Sequence, residues 1–371
     1  MKIVMLSADP VDSHGWGRYA CDLITALGAE NRAITLITST RAPENPGLPV
    51  TAYHRILPSV TASPPERAIR LRLLLLQHRV KQLAQGADVI HVLAEPYTLA
   101  AGGLSPLVVT AHGTYIPRTA QDPAFGPLYR DIYRHAAITA VSRYTAEQVR
   151  AQLPDAAVSV IANGVVAARF QAPARPVEKH GWVILAVGQM KARKGFHILC
   201  QAMPRIRAAH PTAEAVLIGS TPDAAYLQAI RDQLEADHLT GAVHILGRVD
   251  DQTMLDWYHG ADVFALPALN VDGRFEGFGL VYLEASAAGL PVVGTTGCGA
   301  EEAILDGETG WLVPQNDPDA LAEAIIRLLG DPSLRAKMGA AGVVHAQAND
   351  WHQVAHRVSE FYALVRTSPG L

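Results

Sequence analysis

The stretch of sequence that decides the fold is Gly273–Val293, GRFEGFGLVYLEASAAGLPVV. Its pattern predicts a glycine-rich turn, then a helix that begins near Gly279 or Leu280 and ends at Ala288, then a turn into a strand. Glycine at positions 277 and 279 permits a tight turn with exposed backbone amides. Together with the helix N-terminus behind them, those amides are suited to binding a diphosphate.

Two carboxylates, Glu276 and Glu284, occur in this stretch. We expect Glu276 in the loop at the mouth of the site, near the sugar end of a ligand. Glu284 is expected inside the helix, nearer a nucleoside, where it can accept hydrogen bonds from ribose hydroxyls. Either glutamate alone is better explained as a helix-start carboxylate or a solvated helix residue. The flanking glycines and the following GLPVV turn favour a ligand site for the pair.

A second candidate site is the loop Gly188–Gly195, GQMKARKG, which follows the strand-like WVILAV. Lys191, Arg193 and Lys194 crowd a strand-to-helix turn, a place where phosphate is commonly bound. The GxxxxGK[ST] pattern of a Walker A loop is absent. A solvated basic turn is the alternative, and the position at the carboxyl end of a strand favours phosphate binding.

The first strand is followed by Asp12–Ala20, DSHGWGRYA, where Gly15 and Gly17 allow close approach of a phosphate or sugar and a helix opens near Arg18. The same residues fit GxGxxA, a weak dinucleotide fingerprint. The acidic residue expected after the second strand is missing, because Ser, Thr and Arg stand there. This counts against a dehydrogenase.

A histidine, His112, follows the strand-like LVVTA. At the carboxyl end of a strand it can hydrogen-bond a sugar hydroxyl or a developing charge. His91 lies near the end of the preceding strand. Each alone is more often a structural histidine. We assign His112 to the reactive centre and give His91 a supporting role.

Strands alternate with amphipathic helices in both halves, the pattern of parallel α/β layers. We predict an N-terminal domain over 1–170, a linker over 171–181, a C-terminal domain over 182–349 and a C-terminal helix over 350–371 that packs on either domain. Predicted strands are Ile3–Ser7, Ala33–Thr38, Val89–Leu93, Leu107–Ala111, Ala137–Val141, Val158–Ile161, Trp182–Val187, Glu214–Ile218, Val243–Leu246, Val263–Leu266, Val292–Thr295 and Gly310–Val313.

The composition is that of a buried globular enzyme, with 49% hydrophobic and 18% charged residues. No apolar run approaches the roughly 20 residues of a spanning helix. The opening MKIVMLSA is strand-like and lacks a cleavage site, and the three cysteines, Cys21, Cys200 and Cys298, are widely spaced. We therefore expect a reduced, cytoplasmic protein.

The net charge of −4 is unevenly distributed. Residues 1–180 hold 18 basic and 13 acidic residues, a net charge of +5. Such an excess suits contact with an anionic membrane or a lipid-phosphate acceptor, although ordinary scatter also accounts for it. The predicted helix Pro65–Gln85 combines five cations with a leucine cluster, as a membrane-surface helix does. A core helix with solvated cations is the equal alternative.

These stretches, in this order, resemble glycosyltransferase family 4, whose members have the GT-B fold of two Rossmann-like doubly wound domains facing each other across a cleft. EGFGLVYLE matches the E-x7-E signature, and LGRV, IANGV, AVSRYTAE and DGETGWLV match less diagnostic family stretches. The resemblance implies that Lys194 binds the donor diphosphate and Glu284 the ribose. It also implies that Glu276 contacts the donor sugar and that His112 lies beside the transferred carbon.

The resemblance further implies a set of contacts to the nucleotide sugar. They are Gly15, Gly17, Gln189, Arg193, Lys194, Val249, Gly277, Phe278, Gly279, Leu280, Val281 and Glu284.

Two positions depart from the family pattern. Gln189 stands where an arginine usually follows the first glycine of the lysine-containing loop, and Val166 replaces the acid of NGVD. Arg193 or Lys191 supplies the lost charge in our interpretation, and the choice between them stays open here.

The expected reaction is hexosyl transfer from a UDP- or GDP-sugar to a hydroxyl of a glycan, a lipid-linked saccharide or a small polar alcohol, with retention and without a metal or other cofactor. The only Asp-x-Asp triplet, Asp317–Asp319, encloses a proline and marks a helix start instead. We expect no nucleic-acid partner. The alternatives are an NAD-dependent oxidoreductase using GWGRYA and a non-catalytic nucleotide-sugar-binding homologue.

Overall fold

The computed structural model describes residues 1–10, 15–60 and 65–367. The chain forms two compact units. The first unit comprises the described residues between Met1 and Asn163 together with the helix that begins at Trp351, and the second unit runs from Gly164 to Asp350.

Strands and helices alternate along the first unit. Its elements are β1 (Lys2–Leu6), α1 (Gly15–Ala29), β2 (Ala33–Ser39), β3 (Ala52–Leu57), α2 (Arg67–Leu75), α3 (Gln77–Leu83), β4 (Val89–Val92), a 3₁₀ helix (Glu95–Ala101), β5 (Leu107–Ala111), α4 (Tyr115–Ala120), α5 (Gly126–Arg134), β6 (Ala137–Ala140), α6 (Arg143–Gln152) and β7 (Ala157–Val160). The seven strands form one parallel sheet in the order β3-β2-β1-β4-β5-β6-β7. Its central strands β4, β5 and β6 are buried along their whole length, as in sheets covered on both faces.

The second unit repeats the alternation. Its elements are a 3₁₀ helix (Ala167–Gln171), β8 (Val183–Val187), a 3₁₀ turn (Ala192–Lys194), α7 (Phe196–Ala209), β9 (Glu214–Ile218), α8 (Ala224–Ala236), β10 (Val243–Gly247), α9 (Asp251–Gly260), β11 (Val263–Ala265), α10 (Leu280–Ala287), β12 (Val292–Thr295), α11 (Ala300–Ala303), β13 (Gly310–Val313), α12 (Pro318–Gly330) and α13 (Pro332–Ala348). Its parallel sheet has the strand order β10-β9-β8-β11-β12-β13. The predicted pair of doubly wound α/β domains is confirmed.

The C-terminal helix α14 (Trp351–Thr367) belongs to the first unit and packs on α1. Its buried face includes Trp351, Val358 and Tyr362, in one core with residues of β1, β2 and α1. The Tyr362 hydroxyl also lies 2.5 Å from Nδ1 of His91 in β4. The sequence left either unit open as the partner of this helix, and the structure selects the first.

The prediction of a linker over 171–181 is wrong, because this stretch is part of the second unit. The guanidinium of Arg175 binds the Asp256 carboxylate at 2.7 Å, and Lys179 binds Asp262 at 3.2 Å. Upstream, the amide of Val165 already donates to the Asn349 carbonyl at 3.0 Å. The chain therefore passes from the first unit to the second at residue 164. The polar, proline-containing stretch 171–181 packs on the surface of the second unit and is not a free linker.

The predicted helix Pro65–Gln85 is also corrected, since it is two helices, α2 and α3, that meet at Leu76. The Leu76 amide donates to the carbonyls of both Arg72 and Leu73, a tightened turn. Beyond it, the Gln77 side chain donates to the Leu99 carbonyl at 2.8 Å. The leucine-rich pattern does not reveal this break, because each helix keeps an apolar residue on its buried side, Leu73 in α2 and Val80 in α3.

Candidate active site

The lysine loop, Gly188–Gly195, connects β8 to α7. It closes with the 3₁₀ turn Ala192–Lys194 and with Gly195 in the left-handed conformation at φ 70°. A Cβ at Gly195 would lie 1.8 Å from the carbonyl oxygen of Pro267, so only glycine fits there. This close approach fixes Arg193 and Lys194 beside the loop that follows β11.

The glutamate turn, Glu276–Gly279, leads into α10. Gly279 has φ 84°, and a Cβ there would meet the ring of Tyr282 at 2.4 Å. The helix begins at Leu280, as predicted from the glycine pattern. Gly299 supports the turn from behind, because its amide donates to the Glu276 carbonyl at 2.7 Å and its Cα faces the Gly277 carbonyl.

Glu276 is the centre of the charged cluster. Its carboxylate pairs with the Lys194 ammonium and, at 3.1 Å, with the Arg193 guanidinium, although only 8% of the residue is exposed. Burial acts to raise its pKa, but the charges of Lys194 and Arg193 outweigh burial and hold the pKa below its usual range. The carboxylate is therefore ionised and keeps both cations in place at the mouth of the site.

Glu284 has a separate partner within the same unit. The Tyr258 hydroxyl donates to its Oε2 at 2.8 Å, and 5% of the glutamate is exposed. Tyr258 is itself held by stacking on Phe264 and by edge contact with Phe170. Glu284 is thus an oriented, buried carboxylate and not the solvated helix residue of the alternative interpretation.

The other predicted contacts of the second unit lie around these two glutamates. Gly277 and Phe278 are buried in the glutamate turn, and Leu280 and Val281 are half-buried in the first turn of α10. Val249 is half-buried between β10 and α9. Gln189 is exposed in the lysine loop.

The remaining predicted site residues lie in the first unit. Of the predicted loop Asp12–Ala20, residues 12–14 lie outside the described residues. Gly15 and Gly17 lie in the first turn of α1, which begins at Gly15, three residues before the predicted opening near Arg18. From the same helix, Tyr19 contacts the His112 ring edge-on, with ring centroids 4.6 Å apart. This contact places the start of α1 next to His112, which directly follows β5.

His112 is held by two hydrogen bonds. Its Nε2 lies 2.7 Å from the Leu93 carbonyl oxygen, which can only accept, so Nε2 carries a proton. In the neutral ring Nδ1 is then left as an acceptor for a hydroxyl. Its backbone amide donates to Glu95 Oε1 at 2.7 Å.

His91, for which we predicted a supporting role, makes its contacts inside the core of the first unit. It is fully buried, with Nδ1 at the Tyr362 hydroxyl and Nε2 2.7 Å from the Thr110 hydroxyl. Burial, with a smaller effect of His112, lowers its pKa to about 3. It is a structural histidine that ties β4 to α14.

Sequence reasoning missed three residues: Glu95 beside His112, Tyr258 beside Glu284, and Arg274, whose charge acts on Lys191 of the lysine loop. Glu95 is 1% exposed, and burial raises its pKa despite the opposing effect of His112. Tyr258 gives no local signal, because its partner Glu284 is 26 positions away. Arg274 follows an Asp-Gly pair, a hairpin signal that was available in the sequence.

The Asp-x-Asp triplet has the helix-start role predicted for it. Asp317 accepts a hydrogen bond from the Ala320 amide at 2.9 Å and caps α12. Across residues 1–10, 15–60 and 65–367, no group of three or more His, Cys, Asp or Glu side chains is placed to hold a metal ion.

Comparison with known proteins agrees with this geometry. Residues 13–169 match Glycosyltransferase Family 4, and residues 169–344 match Glycosyl transferases group 1. The fold is that of a solved sucrose-phosphate synthase from Thermosynechococcus elongatus, with a TM-score of 0.79, 23% identity and 99% of each chain covered. The two family matches and the fold define a glycosyltransferase of the GT-B type.

Two curated glycosyltransferases are similar to this chain over most of its length. The chain is 33% identical to the GDP-mannose-dependent alpha-(1-6)-phosphatidylinositol monomannoside mannosyltransferase of Mycolicibacterium smegmatis, over 80% of each chain. It is 29% identical to the corresponding enzyme for the monoacylated substrate in Corynebacterium glutamicum, over 96% of each. The chain belongs to glycosyltransferase family 4. The alternative of an NAD-dependent oxidoreductase is therefore wrong.

Proposed function

We propose that this enzyme transfers a hexosyl group from a nucleotide-diphosphate sugar to a hydroxyl of a lipid-linked or saccharide acceptor, with retention and without a metal ion. The observation that carries the proposal is the cluster of Lys194, Arg193 and Glu276 between the lysine loop and the glutamate turn. Fixed cations there suit a departing diphosphate, whose charge grows as the sugar leaves.

The reaction proceeds by attack of the acceptor oxygen on the anomeric carbon while the bond from that carbon to the diphosphate oxygen breaks. The acceptor proton passes to the departing phosphate oxygen. Lys194 and Arg193 stabilise the leaving nucleoside diphosphate, and Glu276 orients both cations before the donor binds. Glu284, aligned by Tyr258, accepts from the ribose, and His112 Nδ1 accepts from a sugar hydroxyl.

GDP-mannose is the first donor to test, since the two curated relatives named above are GDP-mannose-dependent. At a concentration of 100 times Kd, a ligand of the folded state adds about 2.7 kcal/mol to the free energy of unfolding. We expect GDP-mannose to raise the Tm more than UDP-glucose or ADP-glucose does. A larger rise in Tm with a UDP- or ADP-sugar would reject GDP-mannose as the donor. No change in Tm with any nucleotide sugar would reject the proposed donor class.

Turnover tests the remaining parts of the proposal. With GDP-mannose and phosphatidylinositol monomannoside, for which the two relatives above are named, the product's anomeric configuration by NMR is expected to equal that of the donor. Activity is expected to persist in excess EDTA, because amino-acid cations take the role of a metal. An inverted product, or loss of turnover on chelation that Mg²⁺ restores, would overturn retention or metal independence.

We also propose a peripheral location at the cytoplasmic face of a membrane, through the exposed side of α2. Within the described residues, no helix combines the length and apolarity needed to cross a bilayer. Leu71 and Leu75 on α2 are 47% and 83% exposed, and Arg67 and Arg72 are exposed beside them. Leucines that insert among headgroups, flanked by cations, suit an anionic interface.

Not every cation of the predicted surface helix takes part. Arg70 turns inward, where it binds Asp122 at 2.5 Å and lies over the Phe125 ring at 4.9 Å. Leu73 likewise belongs to the core and is fully buried. The helix therefore has one face packed on the core and one exposed face, and our proposal assigns the exposed face to the membrane.

Replacing Leu71 and Leu75 together with serine is expected to reduce flotation with phosphatidylglycerol-containing vesicles at least several-fold. Each inserted leucine contributes roughly 1.5–3 kcal/mol of binding free energy when fully buried. Leu364→Ser, at an exposed leucine of α14 that is 58% exposed, is the matched control and should float as the wild type does. Equal flotation of the double variant and the control would reject this surface.

A further inference from the structure

A two-residue hairpin lies between β11 and the glutamate turn. Val271 and Arg274 exchange both backbone hydrogen bonds, at 2.9 and 2.8 Å. The central residues, Asp272 and Gly273, have φ values of 50° and 67°, the signature of a tight primed turn. Arg274 is therefore presented by a defined backbone element.

The hairpin is held to the lysine loop at both of its ends. Before it, the Leu269 amide donates to the Arg193 carbonyl at 2.8 Å. After it, Glu276 binds the side chains of Arg193 and Lys194. These attachments keep Arg274 beside the lysine loop, although the two are about eighty positions apart in the sequence.

The lysine loop and the hairpin beside it thus carry four cations, and two of these have a carboxylate partner. Arg193 and Lys194 pair with Glu276, while Lys191 and Arg274 are exposed, and no ion pair involves either of them in the described parts of the chain. Burial and the neighbouring charges of Arg193, Arg274 and Lys194 lower the pKa of Lys191. Four positive charges with one carboxylate among them leave the cluster with an excess of positive charge, and such an excess favours binding of an anion.

We propose that Arg274 and Lys191 bind the diphosphate of the donor together with Arg193 and Lys194. Arg274 then supplies the positive charge that is missing at position 189, where the family pattern has arginine and this chain has glutamine. This inference rests on the proposed function and adds the residue that completes its phosphate site. A guanidinium binds phosphate oxygens in a bidentate fashion, and an ammonium acts as a point charge, so the two are complementary. The neutral, exposed Gln189 contributes no charge.

Inorganic pyrophosphate is the probe, because it carries the diphosphate charge without a base or a sugar. By calorimetry, Arg274→Gln and Lys191→Gln are each expected to raise its Kd about tenfold, the size of a lost charge-assisted hydrogen bond. The salt dependence of binding should also weaken in both variants. Arg231→Gln, at an exposed arginine of α8, removes the same charge elsewhere in the second unit and should leave the Kd unchanged.

A Kd for Arg274→Gln within twofold of the wild-type value would overturn the proposal, as would an equal effect of Arg231→Gln. Failure of the wild type to bind pyrophosphate while turning over GDP-mannose would also overturn it and would leave the proposed function standing. If pyrophosphate binding shows the expected pattern but no nucleotide sugar is bound or consumed, the anion site stands and the proposed function falls.

Discussion

A Lys194→Ala variant is expected to lose about a hundred- to a thousandfold in kcat with GDP-mannose while remaining folded. The size follows from removal of one fixed electrostatic group at a position where charge develops in the transition state. Lys194 also pairs with Glu276, so the variant leaves that buried carboxylate with Arg193 alone. Steady-state turnover and the Tm of the same preparation separate loss of catalysis from loss of structure.

The control is Lys337→Ala, which removes an exposed lysine of α13 from the same unit. It should retain both turnover and Tm. Wild-type turnover by a folded Lys194→Ala enzyme would show that Lys194 does not stabilise the leaving diphosphate, and it would assign that role to Arg193.

Gly299→Ala is expected to lower kcat by about a hundredfold, although Gly299 is not itself among the residues that we expect to contact the donor. An added Cβ would lie 2.0 Å from the Gly277 carbonyl oxygen, so the glutamate turn must move away. Displacements of about 1 Å at reacting groups cost on the order of a hundredfold in rate. Because Gly299 donates its amide to the Glu276 carbonyl, the displacement reaches Glu276 directly.

Gly241→Ala is the matched substitution, since a Cβ there meets no atom within 4 Å. It should retain wild-type kcat and differ little in Tm. If Gly299→Ala had wild-type kcat and Kd for GDP-mannose, the position of the glutamate turn would not govern the reaction.

Local sequence predicted the glutamate turn well, because its information is local. A left-handed glycine at 279 and the apolar run after it determine where α10 begins, to within one residue of the prediction. The alternation of buried strands likewise predicted the sheets. Strand β3 was missed because it is an edge strand whose residues are mostly half-buried, so it lacks a strong apolar pattern.

The partners of the site residues were less accessible from the sequence. Lys194 and Arg193 lie more than 80 positions before Glu276, and no periodic pattern reports an ion pair over that distance. The prediction of a linker over 171–181 was wrong for the same reason, because polar residues and prolines occur both in linkers and on packed surfaces. Its ion pairs to Asp256 and Asp262 are tertiary contacts.

The placement of α14 in the first unit has a consequence for how the chain is synthesised. Trp351, Val358 and Tyr362 complete the core that surrounds β1 and α1, yet the whole of the second unit is translated between them. At about 5–20 residues per second, synthesis of that intervening unit takes on the order of ten seconds or more. During this interval the nascent first unit lacks α14, and the apolar face of β1, β2 and α1 that the helix covers is open to solvent.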